Sequence, residues 1–432
     1  MADGRAFGIR QLRLMRTRTD YVLILAIAAL VILGLMMVYS STFDMAYVYY
    51  GNPNRFFTRQ LIWTALGVGG LIVLARIDYR LWERWAVLMM AGTLLLLGVV
   101  VVAGSERFGA QRWILNGSIQ PSELAKISIV IYIAAWVTSK GDKIRQVSYG
   151  LLPFAILIGL VTGLILLQRD LSTALLIAVT AWMMFFFAGA DLLQLFATFI
   201  FGIATFFLLV AREPYRMERI VAYLNPEADP SGSSFQVNQA LTALASGGLL
   251  GKGLGASSQK FGFVPAVHTD TILAILGEEL GLIGCLVLIG LFVLLAYRGF
   301  RIALEATDPF GTILAAGLTC TLALQALVNM AVVTATLPYA GVPLPFVSYG
   351  GSSMVTSMAC VGLLLSISRG RSVRGQSVRE RSVRSHTPVE RQTVHTSVRG
   401  GTSARTDLGR RDRRPRVSTS GRGRGSGRQR NR

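Results

Sequence analysis

Tyr21-Val-Leu-Ile-Leu-Ala-Ile-Ala-Ala-Leu-Val-Ile-Leu-Gly-Leu-Met-Met-Val-Tyr-Ser40 runs for twenty residues without a charge. As an α-helix it rises about 30 Å, the thickness of the hydrocarbon core of a bilayer. Five arginines (Arg5, Arg10, Arg13, Arg16, Arg18) stand before it in residues 1–20, like the charged start of a signal peptide. The run is too long for that and lacks a small-residue cleavage site, so it reads as a retained first span behind a basic N-terminus. Working outward, further apolar runs fall near 58–75, 85–104, 122–138, 149–167, 171–188, 191–211, 271–297, 310–335 and 344–368. The expected fold is an all-α integral membrane protein with ten transmembrane helices over residues 21–368.

Composition agrees with this reading. Of 432 residues, 52% are hydrophobic and 15% charged, which rules out a chain that is disordered or nucleic-acid-binding as a whole. Cys285, Cys320 and Cys360 each lie within an apolar run, leaving no disulfide framework and no CxxC metal site. His386 and His395 fall after the last span, so His268 is the sole imidazole of the membrane body and a His-rich metal centre is excluded. Most of the +20 net charge lies after residue 368, because residues 369–432 carry 19 Arg and 4 acids. That segment is rich in Arg, Ser, Gly, Thr and Val, and repeats SVR at 372–374, 377–379, 382–384 and 397–399. It is expected to be a disordered cytoplasmic tail that attracts anionic inner-leaflet lipids, with no nucleic-acid partner.

Basic residues orient the spans. Arg76, Arg80 and Arg84, then Lys140, Lys143 and Arg145, then Arg298 and Arg301, then the tail, fall in alternate connections. With both termini in the cytoplasm these are the inner ones. The turn at Ala188 to Asp191 has no basic residue, so the pairing of spans six and seven rests on parity and length. Residues 41–57, 105–121, 168–170, 212–270 and 336–343 then lie outside. The fourth is by far the longest, and its mixture of aromatics, Arg and Gly reads as an ordered outer element between helices seven and eight.

Ionisable groups inside hydrocarbon are costly and mark function by default. Glu123 and Lys126 lie three apart and share a helix face near the start of span four. Glu278 and Glu279 sit inside span eight, about 12 Å beyond Asp270 along a straight helix. About 100° separates them around the axis, so they cannot both face lipid. An ion pair from Lys126 to one of them is the natural expectation, and structural glue explains it at least as well as catalysis. Phe263-Val-Pro-Ala-Val-His-Thr-Asp270 closes the long connection where span eight begins. An acid there serves as an N-cap or as a catalytic carboxylate, and the residues alone favour the cap. His268 is equally open.

Two further stretches bear on chemistry. Ser246-Gly-Gly-Leu-Leu-Gly-Lys-Gly-Leu-Gly255 imitates a phosphate loop, but Ser246 stands where GxxxxGK needs Gly, and Gly253 where it needs Ser or Thr. No nucleotide is expected. Lys252 and the backbone N–H groups beside it remain candidates to meet a lipid pyrophosphate. Pro343-Leu-Pro-Phe-Val-Ser-Tyr-Gly-Gly-Ser-Ser353 opens the last span with backbone that cannot be regular helix. At membrane depth this is tolerated only against protein or a wet cavity, which Ser348, Tyr349 and Ser352 are expected to line. No GxSxG surrounds these serines, which argues against a serine hydrolase.

Together these residues resemble the SEDS family, the FtsW, RodA and SpoVE group of bacterial peptidoglycan polymerases, over essentially residues 20–368. The landmarks are Arg112-Trp-Ile114 with Gln120-Pro-Ser-Glu-Leu-Ala-Lys126; Gln168-Arg-Asp-Leu-Ser-Thr-Ala174; Tyr215-Arg216 with Arg219; the 246–255 glycines; Pro265 with His268-Thr-Asp270; Gly277-Glu-Glu-Leu-Gly281; and Gly341 through Ser353. The resemblance implies a ten-helix glycosyltransferase of the cytoplasmic membrane that uses lipid II and works with a class B penicillin-binding protein, a transpeptidase. In the family the Asp of the His-Thr-Asp triplet is required for polymerisation, which carries over to Asp270 and reverses the preference for a cap. Ala266 and Thr271 stand where the family usually has Glu and Phe, and Arg169 and Ser172 depart from the commoner QPDLGT. A two-carboxylate mechanism on this loop therefore loses support.

Lipid II brings its own leaving group, consistent with the failed phosphate loop. The 4-hydroxyl of an acceptor attacks the donor's anomeric carbon while undecaprenyl pyrophosphate departs, and direct displacement inverts that centre. Asp270 as general base would contribute about 10² to 10⁴ in rate. Arg112, Lys126, Arg216, Arg219 or Lys252 would neutralise the leaving group. A divalent cation, Mg²⁺ or Mn²⁺, is the other means, with Asp270 as its metal ligand in place of general base. Glu123, Glu278 and Glu279 are assigned to the supporting structure. The alternatives are a transporter that flips lipid-linked precursor and a non-catalytic scaffold for a transpeptidase. Other membrane proteins of division or elongation are expected partners, and the wording ILGEELGLIG with the Arg-rich tail is slightly more similar to the FtsW branch than to the RodA branch.

Overall fold

A computed structural model describes residues 20–107, 110–113, 120–225, 234–259 and 269–385, the last fifteen as backbone. Two units are distinguished: Met1–Ser382, which holds the helical body, and Val383–Arg432, whose described residues finish one helix. In chain order the elements are α1 (Tyr21–Tyr50), α2 (Arg55–Arg76), α3 (Arg80–Ala103), a hairpin of β1 (Ser105–Arg107) and β2 (Ala110–Trp113), and α4 (Pro121–Lys140). A 3₁₀ turn and a π turn lead to α5 (Leu152–Leu167), followed by α6 (Leu171–Phe187) and α7 (Leu192–Ala211). Then come α8 (Pro214–Leu224), α9 (Phe235–Gly247), α10 (Ile272–Leu304), α11 (Pro309–Val333) and α12 (Gly351–Ser385).

Among the described residues nine helices are long and apolar enough to cross a membrane, and α6 is a shorter apolar helix. All ten expected spans are therefore helical, and among the described residues the one addition to this all-α architecture is the small hairpin. Helix ends follow from side chains in the sequence. Asp20 accepts the Leu23 N–H, Asp170 that of Thr173, Asp191 those of Leu193 and Gln194, and Asp308 that of Gly311. Each satisfies an orphan donor of a first turn. Pro121 and Pro309 occupy first-turn positions, where the missing N–H costs nothing.

Two boundaries differ from expectation. The last span begins at Gly351, because residues 334–350 form an irregular segment packed inside the protein with Leu344, Phe346 and Val347 buried. Gly34 of α1 admits it: a Cβ there would lie 2.4 Å from the Phe346 carbonyl oxygen. At the other end, α12 continues to Ser385 where disorder was expected from 369. Extending an existing helix avoids the nucleation cost, and Arg is a good helix former. The rest of the tail and residues 1–19 lie outside the described residues.

Turns bearing the basic residues gather at one end of the bundle. Arg298 holds Asp20 bidentately at 2.6–3.1 Å, Arg80 and Tyr79 meet Asp308, and Arg369 donates to the Ala75 carbonyl. The turn without a basic residue borrows one, since Arg145 donates to Gly189 O and accepts Gln194 through its own carbonyl. The long 212–270 connection does not stay at the opposite end. After α9 its backbone runs beside α10, with Lys252 N donating to Glu278 O and Gly253 N to Glu279 O.

Candidate functional site

Asp270 stands at the end of the bundle opposite the arginine-bearing turns, half-buried, one residue before the Thr271 N-cap of α10. The Thr271 side chain makes no cap hydrogen bond to the first turn. The Tyr339 hydroxyl donates to Asp270 Oδ2 at 2.9 Å. The Asp270 carbonyl accepts from Asn329 Nδ2 at 2.8 Å, and the same nitrogen donates to Val342 O at 2.7 Å. Behind Tyr339, the Arg219 guanidinium lies 4.8 Å from the ring centroid and Nη1 donates to the Tyr339 carbonyl at 3.1 Å. Burial, reinforced by the Asp270 charge and their hydrogen bond, pushes the Tyr339 phenol well above its ordinary value, so it remains a donor.

The candidate cations are not all brought together. Lys126 is buried inside the bundle, 2.8 Å from Glu123 and 2.7 Å from Gln325 Oε1. The expected pair with Glu278 or Glu279 is therefore corrected: Lys126 and Glu123 pair one turn apart on the same helix. Glu278 takes Lys252 at 2.7 Å, Ser257 at 2.5 Å, and the Ser258 N–H and hydroxyl. Glu279 accepts from Ser40 of α1 at 2.6 and 2.8 Å. Both glutamates are fully buried on their separate faces, which meets the requirement that neither be left to lipid.

Glycines near Lys252 serve this packing. At Gly251, with φ +82°, a Cβ would lie 2.2 Å from the Glu279 carbonyl. The N–H groups of Gly251, Lys252 and Gly253 bond Gly247, Glu278 and Glu279 carbonyls. The expected pyrophosphate contact through these donors is corrected, since one is committed to the end of α9 and two to α10.

Arg216 donates to Leu209 O at 2.9 Å. Arg112 is in β2, its side chain outside the description, and His268 lies outside the described residues altogether. Ser348 accepts the Leu344 N–H at 2.8 Å, Ser352 accepts the Gln120 N–H at 3.1 Å, and Tyr349 meets Phe56 edge-on. The first and last of these contacts join the irregular segment to itself and to α2, and the second joins the start of α12 to the residue before α4. Burial raises the Tyr349 phenol.

Sequence reasoning missed Tyr339, Asn329 and Gln325. Tyr339 follows Pro338 in an irregular stretch, the one local sign of a placed aromatic, but its partner is 69 positions away. Asn329 and Gln325 are polar residues four apart in an apolar span, a signal that was present and unused. Gln325 also donates to Pro343 O at 2.9 Å, so both amides brace the segment beside Asp270.

Known proteins carry the same architecture. The family model for FtsW, RodA and SpoVE, described as "Cell cycle protein", matches residues 21–373. A probable peptidoglycan glycosyltransferase FtsW of Trichlorobacter lovleyi is 43% identical over 355 residues, covering 81% of this chain and 93% of that protein. Stage V sporulation protein E of Bacillus subtilis is 38% identical over 358 residues, covering 82% and 98%. Among solved structures, a chain described under "Structural coordination of polymerization and crosslinking by a peptidoglycan synthase complex" is 30% identical with a TM-score of 0.67, covering 82% of this chain and 98% of that one. Thermus thermophilus rod shape determining protein RodA is 28% identical with a TM-score of 0.62 and the same coverage. The match extends from the first residue of α1 into α12 and takes in Asp270 and the segment that holds it, so the chain belongs to the FtsW/RodA/SpoVE family of membrane proteins.

Proposed function

We propose that this protein is a peptidoglycan glycosyltransferase that polymerises lipid II at the outer face of the cytoplasmic membrane, in division more than in elongation. The observation that carries the reading is the Asp270 carboxylate, fixed by Tyr339 at the bundle end away from the arginine-bearing turns. The acceptor's 4-hydroxyl oxygen forms the new bond to the donor's anomeric carbon and its proton passes to Asp270. The anomeric carbon to oxygen bond breaks, and undecaprenyl pyrophosphate leaves with the electron pair. An activity of this name is given to relatives 42% and 43% identical to this chain. With the basic turns inside, both termini are cytoplasmic and Asp270 faces substrate already flipped outward.

Among the described residues no group of three or more His, Cys, Asp or Glu side chains is placed to hold a metal. Mg²⁺ commonly binds through one or two carboxylates with phosphate oxygens and water, so the Asp270 carboxylate fits an ion that arrives with the substrate, which it would hold in place of taking the proton. Such an ion would supply charge neutralisation to the pyrophosphate. A class B penicillin-binding protein and other division proteins are the proposed partners, and anionic lipids the partner of the Arg-rich tail. Full-length protein in detergent, alone and with that transpeptidase, is given fluorescent lipid II and the products are resolved by gel. Glycan chains are expected, falling by about 10² to 10⁴ in Asp270→Asn. A transporter or scaffold makes no polymer, and undiminished polymerisation by Asp270→Asn would remove Asp270 from the mechanism.

A further inference from the structure

The geometry points to Tyr339 as the positioning residue of the Asp270 carboxylate, held in turn by Arg219 of α8; this deepens the glycosyltransferase reading and rests on it. Four consecutive residues, Tyr339 to Val342, are tied to three different helices. Arg219 of α8 takes the Tyr339 carbonyl and covers its ring. Ser172 of α6 donates to the Ala340 carbonyl. Asn329 of α11 takes Val342 O together with Asp270 O. Between them lies Gly341, at φ +60°, where a Cβ would be in ordinary contact with Asp270 Oδ2 at 3.4 Å.

Irregular backbone persists at such a place only when its surroundings over-determine it. What this bracing delivers is one phenolic O–H aimed at one carboxylate oxygen. A ring needed for packing alone would not need its hydroxyl there. The donor sets the plane in which the carboxylate presents its oxygens, and it stabilises the charged form that accepts a proton. Gln236 of α9 also bonds the hydroxyl, so an element of the long connection reads the same group. Among the described residues, Arg219 is a cation beside Tyr339, and Gln236 and Asn329 are neutral amides beside Tyr339 and the Asp270 carbonyl.

Tyr339→Phe keeps the ring and removes the donor. In the full-length protein with fluorescent lipid II, kcat is expected to fall about tenfold or more, the scale of a hydrogen bond to a charged group, with KM within about twofold. Arg219→Gln, which leaves the hydroxyl but loosens the ring, is expected to lower kcat in the same way by less. A wild-type kcat in Tyr339→Phe, with polymerisation lost in Asp270→Asn, would overturn the positioning role alone. Full activity in Asp270→Asn would overturn the base reading and the positioning role together. A rise in KM in place of the fall in kcat, or a fall in kcat matched by an equal loss of folded protein, would reduce Tyr339 to packing and also overturn it.

Discussion

Asn329 shows how much a single amide carries near the site. One buried nitrogen holds the carbonyls of Asp270 and Val342, on either side of the contact between Asp270 and Tyr339. Asn329→Ala removes a donor from both carbonyls and strands the buried one of Val342, at about 1–3 kcal/mol for such an unsatisfied group. A melting temperature lower by several degrees and a loss of polymerisation are expected, although Asn329 reaches no reacting atom; unchanged melting in detergent would contradict this account. At the opposite end, burial pushes the Asp308 carboxyl up, but the Tyr79 hydroxyl, the Gly311 N–H and Arg80 outweigh it and hold it below the carboxylate range. Its folded value therefore lies below its unfolded one, near 3.9. The stability it gives is complete above the unfolded value and is lost as pH falls through the folded one. Asp308→Asn is expected to melt lower at neutral pH and to flatten the decline of melting temperature below about pH 4. Tyr79 runs the other way: burial, helped by Asp308, raises its phenol, so its share is whole below about pH 10 and is lost in alkali.

Among the elements, α10 departs most from what its sequence announced. Gly277 to Gly281 reads as one apolar helix with two acids, yet Gly281 has φ +67° and ψ −166° and breaks the helical ladder. The strand of chain after α9 splices the break. Leu282 and Ile283 donate to Gly248 and Leu249 carbonyls, while Lys252 and Gly253 donate to those of Glu278 and Glu279. This explains the glycines of 247–255 better than a phosphate does, because a sequence displays spacing and conceals the partner surface. The spans and the acid at the mouth of α10 were legible, since apolar length and a charge beside a span are local signals. The partners of Lys126, Lys252 and Tyr339 were not, because each is fixed by how helices distant in sequence pack. Gly281→Ala places a Cβ 2.4 Å from the Gly251 N and forces an L residue into a left-handed conformation. A loss of about 1–3 kcal/mol is expected for such backbone strain. Faster proteolysis between α9 and α10 in Gly281→Ala would check it, and wild-type cleavage would refute the splice.

For the molecule within its membrane, the two bundle ends have different chemistry, and the proposed function requires that they face different compartments. One end gathers Arg80, Arg145, Arg298 and Arg369 with Asp20 and Asp308. The other holds Asp270, Tyr339 and Arg219, the backbone-braced acid and its supports. Lys and Arg near span ends are retained in the cytoplasm, so the second end should meet water outside, where lipid-linked substrate arrives after flipping. The turn after α1 and the turn after α4 test this, since an odd number of spans separates them and both are exposed at Asn52 and Asp142. Cys285 is half-buried and Cys320 and Cys360 are buried, so a single new cysteine is readily distinguished. A membrane-impermeant maleimide applied to intact cells is expected to label Asn52→Cys, and to label Asp142→Cys only after permeabilisation. The opposite pattern would put Asp270 on the cytoplasmic side, where no outward-flipped donor could reach it, and the acid would have to be assigned to some other task.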